Sequence, residues 1–197
     1  QLGSGGKEIG EKLAARLGID FYDKELINLA SEESGLCKEF FEKADEKASQ
    51  GIIGGLFGMR FPFISEGAMP CNNCLSNDAL FKVQSDVIRH LAAEKSCVFV
   101  GRCADYILED IPNHLNVYVY APDEARLKNC VENLQMDPQT AKKMMRDVDA
   151  ARNRYHKAYI PGWQSVFDHK DLMIDSSRFG IDGTAKILAD IVKNQWG

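Results

Sequence analysis

The sequence lacks any apolar run close to the ~20 residues that a membrane-crossing helix needs, so no bilayer-spanning segment is expected. It also lacks a basic excess. Lys and Arg number 24 against 29 Asp and Glu, a formal net charge of −5, and a nucleic-acid surface would need clustered positive charge. Histidine is scarce, with four in 197 residues. The six cysteines, at 37, 71, 74, 97, 103 and 130, include one close pair, Cys71-Asn72-Asn73-Cys74. A zinc ribbon needs a second such pair or two spaced histidines, so no metal site is assigned and the cysteines read as reduced thiols of a cytoplasmic protein. The start of the chain is glycine-rich and polar rather than basic then apolar, so no secretory leader is expected. With 45% apolar and 27% charged residues, the composition is that of a globular protein, and the length fits one domain spanning 1–197.

Periodicity places the elements. Ile9, Leu13 and Leu17 recur every four residues, Ala14 widens the stripe and Gly18 ends it, which predicts a first helix. A short strand follows at Ile19–Asp23, then a helix over Lys24–Glu33 and a polar helix over Lys38–Ala48. Residues 49–76 change character, mixing five glycines with Ile52, Ile53, Leu56, Phe57, Phe61 and Phe63. That insertion has three readings: an aromatic flap that stacks on a base, a packed loop, or a contact in a homo-oligomer. Leu80, Val83, Val87 and Leu91 predict a helix leading into the strand Cys97–Val100. A second buried strand is expected at Leu115–Tyr120, followed by a helix with Pro122 in its first turn and running to about Gln135. Asp137-Pro138 opens a further helix towards Tyr155; a last strand, Leu172–Ile174, precedes a closing helix carrying Ile181, Ala185, Leu188 and Val192. Strands alternating with helices predict an α/β fold with a parallel sheet covered on both faces.

The first helix is preceded by Gly3-Ser4-Gly5-Gly6-Lys7. Glycines let backbone amides turn inward around an anion, the helix start adds about half a positive charge, and Lys7 adds a full one. Gly3, Ser4, Gly5, Gly6, Lys7 and Glu8 therefore form the candidate phosphate-binding segment, the alternative being a tight cap with an exposed lysine. Glu8 and Ile9 stand where a Walker-type loop would carry the Mg²⁺-binding Ser or Thr. A loop of this kind follows a strand, so a short apolar strand is expected upstream of Gln1.

Four stretches together resemble the cytidylate kinase-like family, relatives of the P-loop nucleoside monophosphate kinases of bacteria. They are Leu2–Gly10; Phe21–Leu26; Val98–Arg102 with Ala104-Asp105; and Arg146 through Asp149, Arg152 and Tyr155 to Asp171–Ser177. The resemblance implies a three-layer P-loop fold with a five-stranded parallel sheet, its first strand preceding Gln1, and a helical lid at 137–165. It implies ATP-dependent phosphorylation of a nucleoside monophosphate, CMP or dCMP by the family's name, with Mg²⁺. Asp23, Arg102 and Asp105 would then face the acceptor, and Lys7, Arg146 and Arg152 would be catalytic.

Physical reading of the same residues adds detail. Phosphoryl transfer passes through a loose transition state and needs cations more than a strong base. Arg102 lies just past a buried strand, where open α/β sheets bind ligands, and its planar fork suits phosphate; otherwise it pairs with Asp105. Arg146 and Asp149 have the spacing of a surface ion pair. Arg152 interrupts an apolar stripe and is expected to point inward, towards a buried carboxylate or a bound phosphate. Asp23 reads as a Mg²⁺ or acceptor partner, or as the cap of the helix at Lys24. Two other outcomes stay open: a nucleotide-binding regulatory module without turnover, and a kinase of another small metabolite.

Overall fold

The computed structural model describes residues 1–33 and 77–197. The helix expected over 38–48, the 49–76 insertion with its phenylalanines, and Cys37, Cys71 and Cys74 lie outside the described residues. The chain divides into two compact units, Gln1–Lys24 with Ile88–Gly197, and Glu25–Val87.

The smaller unit takes in most of α2 (Lys24–Glu33) and the first part of α3 (Asn77–Glu94). Ile27, Ala79, Val83 and Val87 are buried, and buried Gln84 donates to Asn28 Oδ1 at 2.6 Å.

The larger unit begins with α1 (Gly6–Leu17), which closes at Gly18 in the left-handed region, as its stripe predicts. β1 (Asp20–Tyr22) runs parallel to β2 (Cys97–Phe99), with Asp20, Phe21 and Tyr22 opposite Cys97, Val98 and Phe99. After α4 (Ala104–Ile107), β3 (Val117–Tyr120) leads through Pro122 into α5 (Asp123–Glu132). α6 (Pro138–Tyr159) starts where Asp137-Pro138 predicts, the Asp137 carboxylate accepting from the Thr140 amide at 2.9 Å. β4 (Leu172–Asp175) pairs parallel with β3, and α7 (Ser176–Trp196) closes the chain.

Several expectations are corrected. Among the described residues the strands form two parallel pairs, β1-β2 and β3-β4, and not one five-stranded sheet. β3 starts at Val117 and not at Leu115, because the Asn116 amide is taken by the Asp171 carboxylate at 2.7 Å before the ladder begins. Pro122 caps α5 from outside, and α5 stops at Glu132. The reason lies just beyond: Gln135 takes a left-handed φ of 54°, and the Met136 amide turns back onto the Cys130 carbonyl. α7 is broken at Gly180, whose φ of 67° and ψ of 178° leave the helical region.

The core explains why α1 sits where it does. Ile9 and Leu13 pack with Ala185, Leu188 and Ala189 of α7, and Val98, Val117, Val119 and Leu172 close around them. One helix thus covers residues of both strand pairs. Gly10 permits the approach: a Cβ there would come within 3.0 Å of Phe21 and Val100 side-chain atoms, which justifies a helix-interior glycine that costs about 1 kcal/mol relative to alanine.

Ile9→Ala and Leu188→Ala are each expected to lower stability by about 2–5 kcal/mol. Leu134→Ala, at a residue 53% exposed, is expected to change it by less than about 0.5 kcal/mol. Urea unfolding midpoints check both.

Candidate functional site

In each parallel pair the strands end in the same direction, and the loop Gln1–Gly5 meets the residues that follow β3 and β4. The Ala121 amide donates to Gln1 Oε1 at 3.3 Å. The Ser176 hydroxyl lies 2.7 Å from the Ser4 carbonyl and 3.1 Å from that of Tyr120. Carboxyl ends of parallel strands are where such sheets place ligands. The loop bends at Gly3 and Gly5, with φ of 83° and 77°. At Gly3 a Cβ would lie 2.6 Å from the Arg126 carbonyl. Buried Ser4 turns its hydroxyl onto the Gln1 carbonyl at 2.9 Å, so this side chain holds the bend. Gly5 caps α1 with no side chain. A helix start leaves amides without intrahelical partners and carries positive partial charge, so the bend fits a phosphate. Gly6 and Lys7 open the helix, and Lys7 and Glu8 are exposed. Lys7 Nζ lies 2.6 Å from the buried Asp23 carboxylate.

A glycine bend cannot hold its own shape, and here two helices hold it. Arg126 of α5 is 5% exposed. Its Nε donates to the Leu2 carbonyl at 2.8 Å, and its other nitrogens reach Asp123 at 3.0 Å and Asp149 of α6. The second Asp149 oxygen accepts the Leu2 amide at 3.0 Å, and Asn129 donates to the Gly3 carbonyl at 2.9 Å. Arg126 and Asn129 are absent from the residues singled out by sequence. The available signal was a charge on the buried face of α5, four residues before Cys130 and beside Leu127.

Arg152 does not point inward. Its side chain is 53% exposed and lies 3.8 Å from Asp149. The carboxylate that would have drawn it in is neutralised from the other side by Arg126. The expected Arg146–Asp149 pair is replaced for the same reason. Arg146 is exposed and, with Lys142, lines a cavity of about 560 Å³ between α5 and α6, over Leu127 and Met145.

Arg102 follows β2 in a run of three left-handed residues, Gly101, Arg102 and Cys103, with φ of 81°, 60° and 55°. For the two non-glycine residues that costs about 1–2 kcal/mol each. The guanidinium lies 5.4 Å from the Tyr155 ring centre, and its buried Nε has no hydrogen-bond partner among the described residues. Asp105 is not its partner. That carboxylate pairs with half-buried Lys170, which also donates to the Asp168 carbonyl at 3.0 Å and lies over the Trp163 ring. Burial, with Asp105 nearby, pushes the Cys103 thiol up to about 12, and burial pushes Cys97, which is half-buried and not fully enclosed, up to about 11.

The structure thus joins Lys7 to Asp23, and the loop to Asp149 and Arg152. Arg102 meets Tyr155, while Arg146 and Arg152 lie near Asp149, the first lining the α5–α6 cavity with it and the second 3.8 Å from it. Among the described residues, no group of three or more His, Cys, Asp or Glu is arranged to hold a metal ion, and no helix is long and apolar enough to cross a membrane.

Parallel strands with a helix start free of a side-chain cap at their carboxyl ends define a mixed α/β protein with a glycine bend open at that end. The sequence matches the Cytidylate kinase-like family over residues 1–178, and the chain belongs to that family. Membership points to nucleotide kinase activity on small nucleotide substrates. The fold is shared with the crystal structure of an uncharacterized protein from Eubacterium ventriosum ATCC 27560, at a TM-score of 0.70 and 24% identity, covering 98% of this chain and 94% of that one. No match is found among curated proteins.

Arg126→Met removes the closer cation from Asp149 and the donor from the Leu2 carbonyl, and is expected to cost about 3 kcal/mol in urea unfolding. Cys103 is expected to resist alkylation near pH ~8, where a thiol titrating at about 12 is almost wholly protonated, and to react once the chain is unfolded. Peptide mass mapping with and without denaturant reads this.

Proposed function

We propose that the chain transfers the γ-phosphate of ATP to a nucleoside monophosphate, with CMP or dCMP the foremost acceptors. The observation that carries this is the open start of α1, framed by left-handed Gly3 and Gly5 and free of any side-chain cap. The backbone from Gly3 to Glu8 holds the donor phosphates, and Lys7 adds a full charge. To reach them Lys7 exchanges the Asp23 carboxylate for phosphate oxygen. The family supports the reaction class, and the acceptor identity rests on the family's name.

Arg102 binds the acceptor phosphate. Asp23 stands at the acceptor side of the bend, and Asp105 supports the Arg102 turn through Lys170. Arg146 and Arg152, in the lid region 137–165, turn their side chains towards the transferring group while Asp149 keeps α6 tied to the bend. Their exposure supports this role, because arginines already buried in ion pairs would not be available. An acceptor phosphate is already a nucleophile at neutral pH, so the residues position and neutralise. When bound, Mg²⁺ would neutralise charge on the nucleotide phosphates, and Asp23 would hold it through water. Asp23 is the carboxylate at hand, since Glu8 occupies the place of a hydroxyl ligand.

The same reading makes 1–197 one P-loop kinase domain in the cytoplasm, with 49–76 inserted on the acceptor side. Its two parallel strand pairs lie in one sheet beneath α1. Support comes from α1 itself, which packs on Val98 of one strand pair and on Val117, Val119 and Leu172 of the other.

A regulatory module without turnover is favoured by Glu8-Ile9 after Lys7 and by the Lys7–Asp23 pair. Single-turnover transfer from labelled ATP across a panel of nucleoside monophosphates separates the two. Labelled diphosphate is expected, and Lys7→Met is expected to slow its formation by about 10²–10³, the scale of losing one charge-stabilising donor. Nucleotide binding with no transfer to any acceptor would favour the module.

A further inference from the structure

We infer that Tyr155 is the positioning residue for Arg102, holding its guanidinium on the ring face so that the fork meets the phosphate of a nucleoside monophosphate. This rests on the acceptor role of Arg102 proposed above and names the residue that makes it selective.

Arg102 is set up as a cation awaiting an anion. Its backbone is held in the left-handed region between Gly101 and Cys103, a conformation that a side chain of this size adopts when its surroundings impose it. Among the described residues it forms no ion pair, and the carboxylate nearest in sequence, Asp105, is engaged by Lys170. Its buried Nε has no hydrogen-bond acceptor among the described residues. A buried donor left without an acceptor is costly unless a ligand satisfies it. Arginine binds phosphate through two parallel N–H groups in one plane. An aromatic ring against the guanidinium restrains that plane.

Tyr155 supplies the ring. Its centroid lies 5.4 Å from the Arg102 guanidinium carbon, within the range of an attractive cation–ring contact. Tyr155 is itself braced, with the Tyr159 ring edge-on at 4.8 Å and the His156 ring at 6.5 Å. Burial raises its phenol above the ordinary value, so the ring is neutral and partly dehydrated, where a cation contact is strongest. Tyr155 also belongs to α6, the helix whose Asp149 accepts the Leu2 amide of the bend. One helix therefore carries the group that ties the donor bend and the group that orients the acceptor arginine.

Calorimetric titration of the full chain with CMP, and separately with ATP, tests this. Tyr155→Leu is expected to weaken CMP binding by about tenfold, the scale of a desolvated cation–ring contact, while ATP affinity stays within about twofold and the melting temperature holds. Tyr155→Phe, which keeps the ring face, is expected to restore most of the lost affinity. Arg102→Lys combined with Tyr155→Leu is expected to be no worse than Arg102→Lys alone, because the two act as a unit. Three results overturn the inference: CMP binding unchanged in Tyr155→Leu, parallel loss of CMP and ATP affinity with a lowered melting temperature, or no monophosphate binding by the unaltered chain. Tyr155-dependent CMP binding without phosphoryl transfer would fail the proposed activity and leave the positioning role standing.

Discussion

The Arg126–Asp149 pair is the constraint on which the amino-terminal bend depends. Glycines turn tightly because they have no side chains, and for the same reason they cannot fix the turn they make. Arg126 and Asp149 supply what the glycines lack, taking the carbonyl and the amide of Leu2 while satisfying each other. Asn129 takes the Gly3 carbonyl from the same helix as Arg126. The peptide groups on the outer side of the bend are thereby satisfied by protein, whereas the start of α1 is left without a side-chain cap. The bend is thus held rigidly behind and left open in front.

Charge is distributed around that bend in pairs, not in a patch. Lys7 has Asp23, Lys170 has Asp105, and Arg126 has Asp149. A chain of net charge −5 can in this way gather cations at one end of its strands without creating the broad positive field that would attract nucleic acid. Two of these pairs serve structure: one holds the loop and the other holds the turn at α4. The Lys7 pair differs, since the lysine is 55% exposed and the aspartate 9%, so that one partner already faces water.

The helices were legible in sequence where local chemistry decides them. Ile9, Leu13 and Leu17 mark α1, and Asp137-Pro138 marks the start of α6, because stripes and caps act within one or two turns. The bend was legible too, through its glycines and Lys7. Arg126 was not, since its partner Asp149 is 23 residues away and its other contact, Leu2, is 124 residues away. The same blindness misdirected Arg152. A charge in an apolar stripe has to be answered, but the answer at Asp149 had already been given by a different helix. Strand ends failed for a related reason, as β3 begins where a side chain from residue 171 releases the backbone. Among the described residues the two strand pairs are joined by no ladder, and their common cover is a helix whose sequence does not reveal how many strands lie beneath it.

The break at Gly180 changes what α7 is electrically. A continuous rod from Ser176 would concentrate its positive pole beside β4, but the non-helical residue divides it into a short stub and a longer cylinder beginning at Ile181. The Ile181 side chain reaches the place a methyl group on Gly5 would occupy, 2.2 Å from that position. The positive end of the longer cylinder therefore lies one side chain away from the bend, and the attraction for negative charge there comes from two cylinders instead of one.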